Sequence, residues 1–295
     1  MIIGTRGSDL ATTQTSTVAE KIRSGLGREV KLEIIKTRGD IITDRPLREL
    51  EGRGYFTREL EEALLLGKID MAVHSFKDMP SECPEGLTIA AVSEREDPAD
   101  LLIVNKKSFN PEMGEIPLAD EAVVGTSAVR RETQIKAKRP DLTVNDLRGN
   151  VPTRLRKLSE GQYDAIFLAS AGVRRLNLDL SGFQVLRFEP EVFVPSPGQG
   201  ALAVQMRTHD PELEKVKSAV HDRDTFTATS IERDVLARFG GGCSLPLGAY
   251  SYLEDGIWRA YGFWGGDAEN PRWADVADAD PSKLGKKLYE VLNAG

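Results

Sequence analysis

AVVGTSAVRRETQIKAKRP, residues 122–140, decides the fold class of this chain. A short run of β-branched apolar residues stops at glycine and threonine. Valines suit an extended, half-buried backbone. A cation-rich stretch follows at once and ends before Pro140. Ser127 is a residue type that satisfies the free N–H groups at a helix start, and a proline cannot continue a helix. The stretch therefore predicts a strand, a polar turn and a helix opened by Ser127.

The same unit recurs. MIIGT (1–5) reads as a strand, and Ser8 then caps a helix through about Ser24. Further strands are predicted at VKLEIIKT (30–37), IDMAVHS (69–75), LTIAAVS (87–93), DLLIVN (100–105), LTVNDLR (142–148) and YDAIFLAS (163–170). Helices are predicted at GYFTRELEEALLLGK (54–68), VPTRLRKLSEG (151–161) and AGVRRLNL (171–178). FVPSPGQGALAVQM (193–206) returns to strand character. Alternation of this kind builds open, mostly parallel sheets with helices on both faces. After Pro211 the pattern changes to a helix near 225–239, a glycine-rich loop, two strands and a final helix near 281–295, a small α+β unit.

The 295 residues suffice for two or three domains without staples. Two cysteines fit a reducing compartment, no secretion signal is expected ahead of the first strand, and no apolar run approaches membrane-spanning length. A net charge of −7 argues against a nucleic-acid partner. Within this acidic chain, residues 130–157 carry nine basic side chains against three acidic ones.

Position matters more than number. Arg6 and Ser8 follow a predicted strand, as do Lys77 and Asp78; Thr126, Ser127, Arg130 and Arg131; Arg148 and Arg154; and Arg175. In open α/β sheets, ligands bind at the carboxyl ends of the strands beside helix N-termini, which favour anions. Arginines there add forked, charge-assisted bonds to carboxylate or phosphate. The sequence thus predicts a cleft for a ligand with several negative groups. Asp78 beside Lys77 reads either as a surface pair or as a carboxylate kept ionised by its cationic surroundings, poised to stabilise a cation.

Other motifs carry less. No GxxxxGK[ST] stretch occurs, and GQGALA (198–203) lacks the spacing and context of a dinucleotide site. His74, His209 and His221 show no metal-ligand spacing with the cysteines, so no metal site is expected. His74 reads as a satisfied, half-buried residue, TRGD (37–40) as chance, and Cys83 as an incidental loop thiol. Cys243, in GGGCSLPLG (240–248), is open to several readings: nucleophile, metal ligand, disulfide partner, attachment point or packing residue.

Taken together, TRGS, TRGD, GYFTRELE, AVHSFKDMP, EREDP, GTSAVRRE, LRGNVPTRLRKL, YDAIFLASAGVRRL, PGQGALAV and GGCSLPLG, in order over about residues 4–250, resemble the porphobilinogen deaminase family. The resemblance implies two doubly wound lobes like those of periplasmic anion-binding proteins, at 1–92 with 193–210 and at 98–187, plus a C-terminal α+β domain at 215–295. It implies a cytoplasmic, monomeric transferase without nucleic-acid or membrane partners. Four porphobilinogen units would be condensed with loss of ammonia onto a dipyrromethane primer, and linear hydroxymethylbilane released by hydrolysis. Cys243 would carry the dipyrromethane through a thioether. Asp78 would be the catalytic carboxylate, facing pyrrole N–H groups and the azafulvenium cation. Ser8, Lys77, Thr126 and Ser127 match positions that hold cofactor carboxylates, and Arg6, Arg130, Arg131, Arg148, Arg154 and Arg175 would line the cleft.

Residues 38–54 form a polar-rich segment before a helix, expected to be a mobile lid with Arg53 as a substrate contact. Arg53 stands where many relatives have Lys, Ala128 where Ser is frequent, and Gln205 where Glu is usual. A non-catalytic binding protein for a small polyanion would use the same cleft; it would need neither Asp78 nor the loop cysteine.

Overall fold

The computed structural model describes residues 1–41, 55–242, 245–267 and 269–294. In chain order its elements are β1 (Ile2–Thr5), α1 (Asp9–Leu26), β2 (Lys31–Ile34), α2 (Arg38–Ile41), α3 (Arg58–Leu65), β3 (Met71–Ser75) and β4 (Leu87–Val92). Then come β5 (Asp100–Asn105), β6 (Val123–Gly125), α4 (Val129–Lys138), β7 (Thr143–Asn145), α5 (Val151–Ser159), β8 (Ala165–Ala169), α6 (Ser170–Arg175) and β9 (Phe183–Arg187). The chain ends with β10 (Leu202–Arg207), α7 (Leu213–Val220), α8 (Arg223–Arg238), β11 (Leu247–Glu254), β12 (Ile257–Trp264), β13 (Arg272–Asp278) and α9 (Leu284–Asn293).

Two five-stranded sheets have the same winding, β2-β1-β3-β10-β4 and β7-β6-β8-β5-β9. In each, four strands run one way and one runs against them: β10 pairs antiparallel with β3 and β4, and β5 with β8 and β9. The reversed strands have a common origin. β4 ends on the ligand-binding side of the first sheet, and the chain crosses there into β5. It therefore enters the second lobe from its open side and runs away from it. β9 returns the chain to β10 in the same way. Residues 93–99 and 188–201 are the two crossovers. These lobes bury separate cores, one around Ile3, Val18, Met71 and Val204, the other around Leu102, Val124, Phe167 and Phe193.

The third unit is an antiparallel sheet, β11-β12-β13, packed by α8 and α9 over Val235, Ala249, Trp258 and Leu288. Val216 and Val220 of α7 pack in the first lobe's core, although the sequence pattern puts residues from 215 in the third unit.

Several sequence expectations are corrected. The strand read over 193–206 is a strand only from Leu202; the Pro- and Gly-rich part before it is the crossover. LTVNDLR shortens to Thr143–Asn145. β9, α7 and β13 are further elements that the sequence reading does not include. Helix α4 is capped at Ala128, not Ser127. Ser127 Oγ instead donates to Leu147 O and accepts from Leu147 N–H, both at 3.0 Å, and so ties this turn to the loop after β7.

Candidate active site in the interlobe cleft

The carboxyl ends of β1, β3, β6 and β8 all face the crossovers, and the polar residues singled out by sequence sit there. Ser8 caps α1, accepting from Ala11 N–H at 3.3 Å. Arg6, after β1, lays its guanidinium over the Phe56 ring, 4.1 Å from the centroid. After β3 the chain turns through one 3₁₀ turn, Phe76–Asp78, which presents Lys77 and Asp78, both half-buried. Two glycines bring the backbone in close. Gly198, at φ +74°, lies against Phe76 and Lys77, and Gly200, at φ +92°, would drive a Cβ into Glu96 O. Only glycine adopts such angles without strain.

Lys77 Nζ donates to Gln199 Oε1 at 3.2 Å. Burial lowers its pKa to about 8; Arg131 and Arg130 act in the same direction, Asp78 and Asp100 against it. Arg154, which donates to Gly149 O at 2.8 Å, is lowered to about 10 by burial, with Arg131 and Arg148 adding to the effect and Asp78 opposing it. Asp78 and Arg131 thus act on both Lys77 and Arg154, which places charges of the two lobes in one region. Arg175, on α6 of the second lobe, reaches Gly200 O at 2.6 Å, and burial lowers it to about 10. Burial lowers all three, and for Lys77 and Arg154 neighbouring cations add to the effect. An anionic ligand would restore them.

Arg130 and Arg131 sit differently from the other arginines. They are 4% and 5% exposed and turn onto Asp100, itself fully buried. Arg130 Nη2 lies 2.8 Å from Asp100 Oδ2, and Arg131 donates to Oδ1 from Nη2 at 2.7 Å and from Nε at 3.2 Å. Arg130 also donates to Val194 O at 2.8 Å, on the return crossover. Their charges hold the second lobe and the return crossover together. Thr126 is buried and accepts from Ala128 N–H at 3.2 Å, and the Ser127 hydroxyl is used in the Leu147 link. Arg53 and Cys243 lie outside the described residues, as does most of the segment read as a lid, 42–54.

Sequence reasoning missed the residues that join the parts. Gln199 bridges Lys77 to Asp100, donating to Asp100 Oδ1 at 2.9 Å and to Pro98 O at 2.7 Å. Glu232 of α8, 1% exposed, accepts from Arg95 at 2.6 and 3.1 Å, from Gly198 N–H at 2.7 Å and from Ser251 N–H at 2.9 Å. It fastens both crossovers to the third unit. The signal was an acid on the inward face of α8, legible only once that face is known. Under β3, His74 pairs with Gln205 Oε1 at 3.1 Å, and burial lowers it to about 4. Gln205 donates onward to Glu61 at 3.1 Å and Cys83 Sγ at 3.8 Å. At the other edge of the site, Gly241, at φ +67°, would place a Cβ 2.8 Å from Ser81 Oγ. The glycine loop therefore packs against the segment that follows Asp78.

Fold and site together define a two-lobed α/β protein with a cation-lined interlobe cleft, a central carboxylate and a third unit gripping the two crossovers. A family model described as "Porphobilinogen deaminase, dipyromethane cofactor binding domain" matches residues 1–215. A porphobilinogen deaminase of Roseiflexus sp. (strain RS-1) is 48% identical over 295 residues, covering 99% of this chain and 95% of its own. A probable porphobilinogen deaminase of Methanosarcina acetivorans is 47% identical over 254 residues, 86% of this chain and 77% of its own. Among solved structures, an ancestral cationic amino acid solute binding protein superposes with a TM-score of 0.46 at 17% identity, over 74% of this chain and 87% of its own. The chain belongs to the porphobilinogen deaminase family.

Proposed function

We propose that this protein is a hydroxymethylbilane synthase, a monomeric cytoplasmic transferase that joins four porphobilinogen units on a dipyrromethane held by Cys243. The observation that carries the reading is Asp78, half-buried on the turn after β3, among Lys77, Arg131 and Arg154.

The residues fit the cofactor. Each pyrrole bears an acetate and a propionate, and the described bonds of Lys77, Arg154 and Arg175 run to amide or main-chain oxygens, which leaves their charge to be met by a ligand's carboxylates. Ser8, Lys77, Thr126 and Ser127 would hold cofactor carboxylates, and the packing of Gly241 on Ser81, three residues past Asp78, supports Cys243 as the attachment point. When bound, the dipyrromethane supplies the terminal pyrrole carbon to which the first unit joins.

The chain's own residues would do the rest. Arg6, Arg148, Arg154 and Arg175 bind and orient the substrate's carboxylates, each charge-assisted contact contributing about 1.5–3 kcal/mol. Arg130 and Arg131 add positive field from behind. Asp78 accepts from pyrrole N–H groups and offsets the positive charge that develops on the substrate as ammonia leaves. A fixed carboxylate aimed at developing charge in a partly dry cleft is worth more than one in water. Arg53, from the segment 42–54, would contact the incoming substrate.

Intact mass of the purified protein tests the reading. An adduct of two pyrrole units is expected, absent in Cys243→Ala, with hydroxymethylbilane formed from porphobilinogen by the parent protein. An unmodified parent that still binds carboxylates would overturn it in favour of simple anion capture.

A further inference from the structure

Arg233 lies on α8 in the third unit, yet its hydrogen bonds run into the first lobe. Its guanidinium donates to Phe76 O at 3.4 Å, to Met79 O at 3.3 Å and to Pro80 O, and it stacks on the Phe76 ring 4.4 Å from the centroid. These carbonyls bracket Lys77 and Asp78. The turn has few bonds of its own: Met79 N–H donates to Phe76 O at 3.2 Å, and Phe76 N–H to Ala201 O at 3.0 Å. A planar guanidinium with donors in a rigid fork suits several converging carbonyls, and Lys cannot reproduce that geometry.

We infer that Arg233 is a positioning residue for the reaction: by holding the backbone carbonyls at 76, 79 and 80, it fixes where Asp78 points. The inference rests on the proposed role of Asp78. The three bonds that Arg233 makes to this segment all end on main-chain oxygens, so they act on the path of the turn. The same turn of α8 carries Glu232, which holds Gly198 N–H on the other side of Lys77. Helix α8 also runs into the glycine loop, whose Gly241 packs on Ser81. The carboxylate and the loop leading to Cys243 are thereby referred to one helix.

Three holoproteins test this: the parent, Arg233→Met, which keeps apolar contact with Phe76 but no donors, and Arg233→Lys, which returns charge and a single donor group. Intact mass gives the fraction carrying the two-pyrrole adduct. Turnover is expressed per loaded molecule, with kcat and KM separated, and masses after a brief pulse of porphobilinogen show how many units each molecule has added. Displacing a reacting group by about 1 Å can cost on the order of 10²-fold. Arg233→Met is expected to load normally, hold KM, and lose kcat on that order at every addition, with Arg233→Lys between it and the parent. A merely structural role would lower loading and melting temperature while loaded molecules turn over at the parent rate, and that result overturns the inference. If Arg233→Met does not fold, Arg233→Lys decides alone: a reduced kcat per loaded molecule supports the assignment, and the parent value refutes it. A parent protein without adduct or turnover instead refutes the proposed function.

Discussion

Replacing Asp100 by Asn should unsettle the second lobe more than any exposed charge change. Asp100 is fully buried, and Arg130, Arg131 and Gln199 all converge on it. Asn keeps the shape and removes the charge. Two guanidiniums at 4% and 5% exposure would then face each other without a counter-ion. Breaking a buried pair by removing one partner costs about 3–5 kcal/mol. The entropy of unfolding is about 2.1 cal/mol/K per residue near 60 °C. Over 295 residues the loss therefore translates into a fall of about 5–8 °C in the melting temperature. Scanning calorimetry at matched cofactor loading measures it. The double variant Asp100→Asn/Arg131→Gln should fall by less than its two single variants combined, because the second change removes the charge stranded by the first. A melting temperature within about 1 °C of the parent, or strict additivity, would refute the view that these arginines serve Asp100 first. The sign with pH follows. The two arginines hold the Asp100 carboxyl well below the usual range, so its contribution is fully present above about pH 4 and is lost as pH falls further.

Asp78→Ala should retain the two-pyrrole mass while turnover falls on the order of 10²–10³-fold; full activity in that variant ends its catalytic assignment. Lys77, lowered to about 8 chiefly by burial, should take up a proton when a carboxylate binds, so affinity weakens as pH rises through 8. Calorimetry of the cofactor-free protein at pH 8.5, in buffers of different ionisation heat, should detect this uptake, and buffer-independent heats would count against it. Gln205→Glu should raise the His74 pKa from about 4, because an anion would replace a neutral acceptor 3.1 Å from the ring. In the parent, stability should fall as pH drops from about 6.5 to 4, where the unfolded chain binds a proton that buried His74 refuses. An NMR titration of His74 that is the same in both proteins would show that the ring does not sense position 205.

The sequence by itself determined the repeated strand–turn–helix unit, the placing of Lys77, Asp78 and Thr126 just past strand ends and of Arg154 and Arg175 on the helices that follow, and the family. Each is a local matter, set by backbone preference over a few residues and by motifs read in order. Ser127 shows the limit of local reading: its type suits a cap, but a partner twenty residues on takes its hydroxyl. The tertiary structure alone decided that Arg130 and Arg131 turn onto Asp100, that β5 and β10 run against their sheets, and that α8 grips the crossovers and the Asp78 turn. Those contacts join residues 31, 137 and 157 positions apart. No short pattern encodes such a pair, because which face of a helix is inward, and what lies opposite, is settled only when the lobes and the third unit pack. GTSAVRRE reads as a row of arginines for a ligand; only packing shows that two of its cations also meet the protein's own carboxylate.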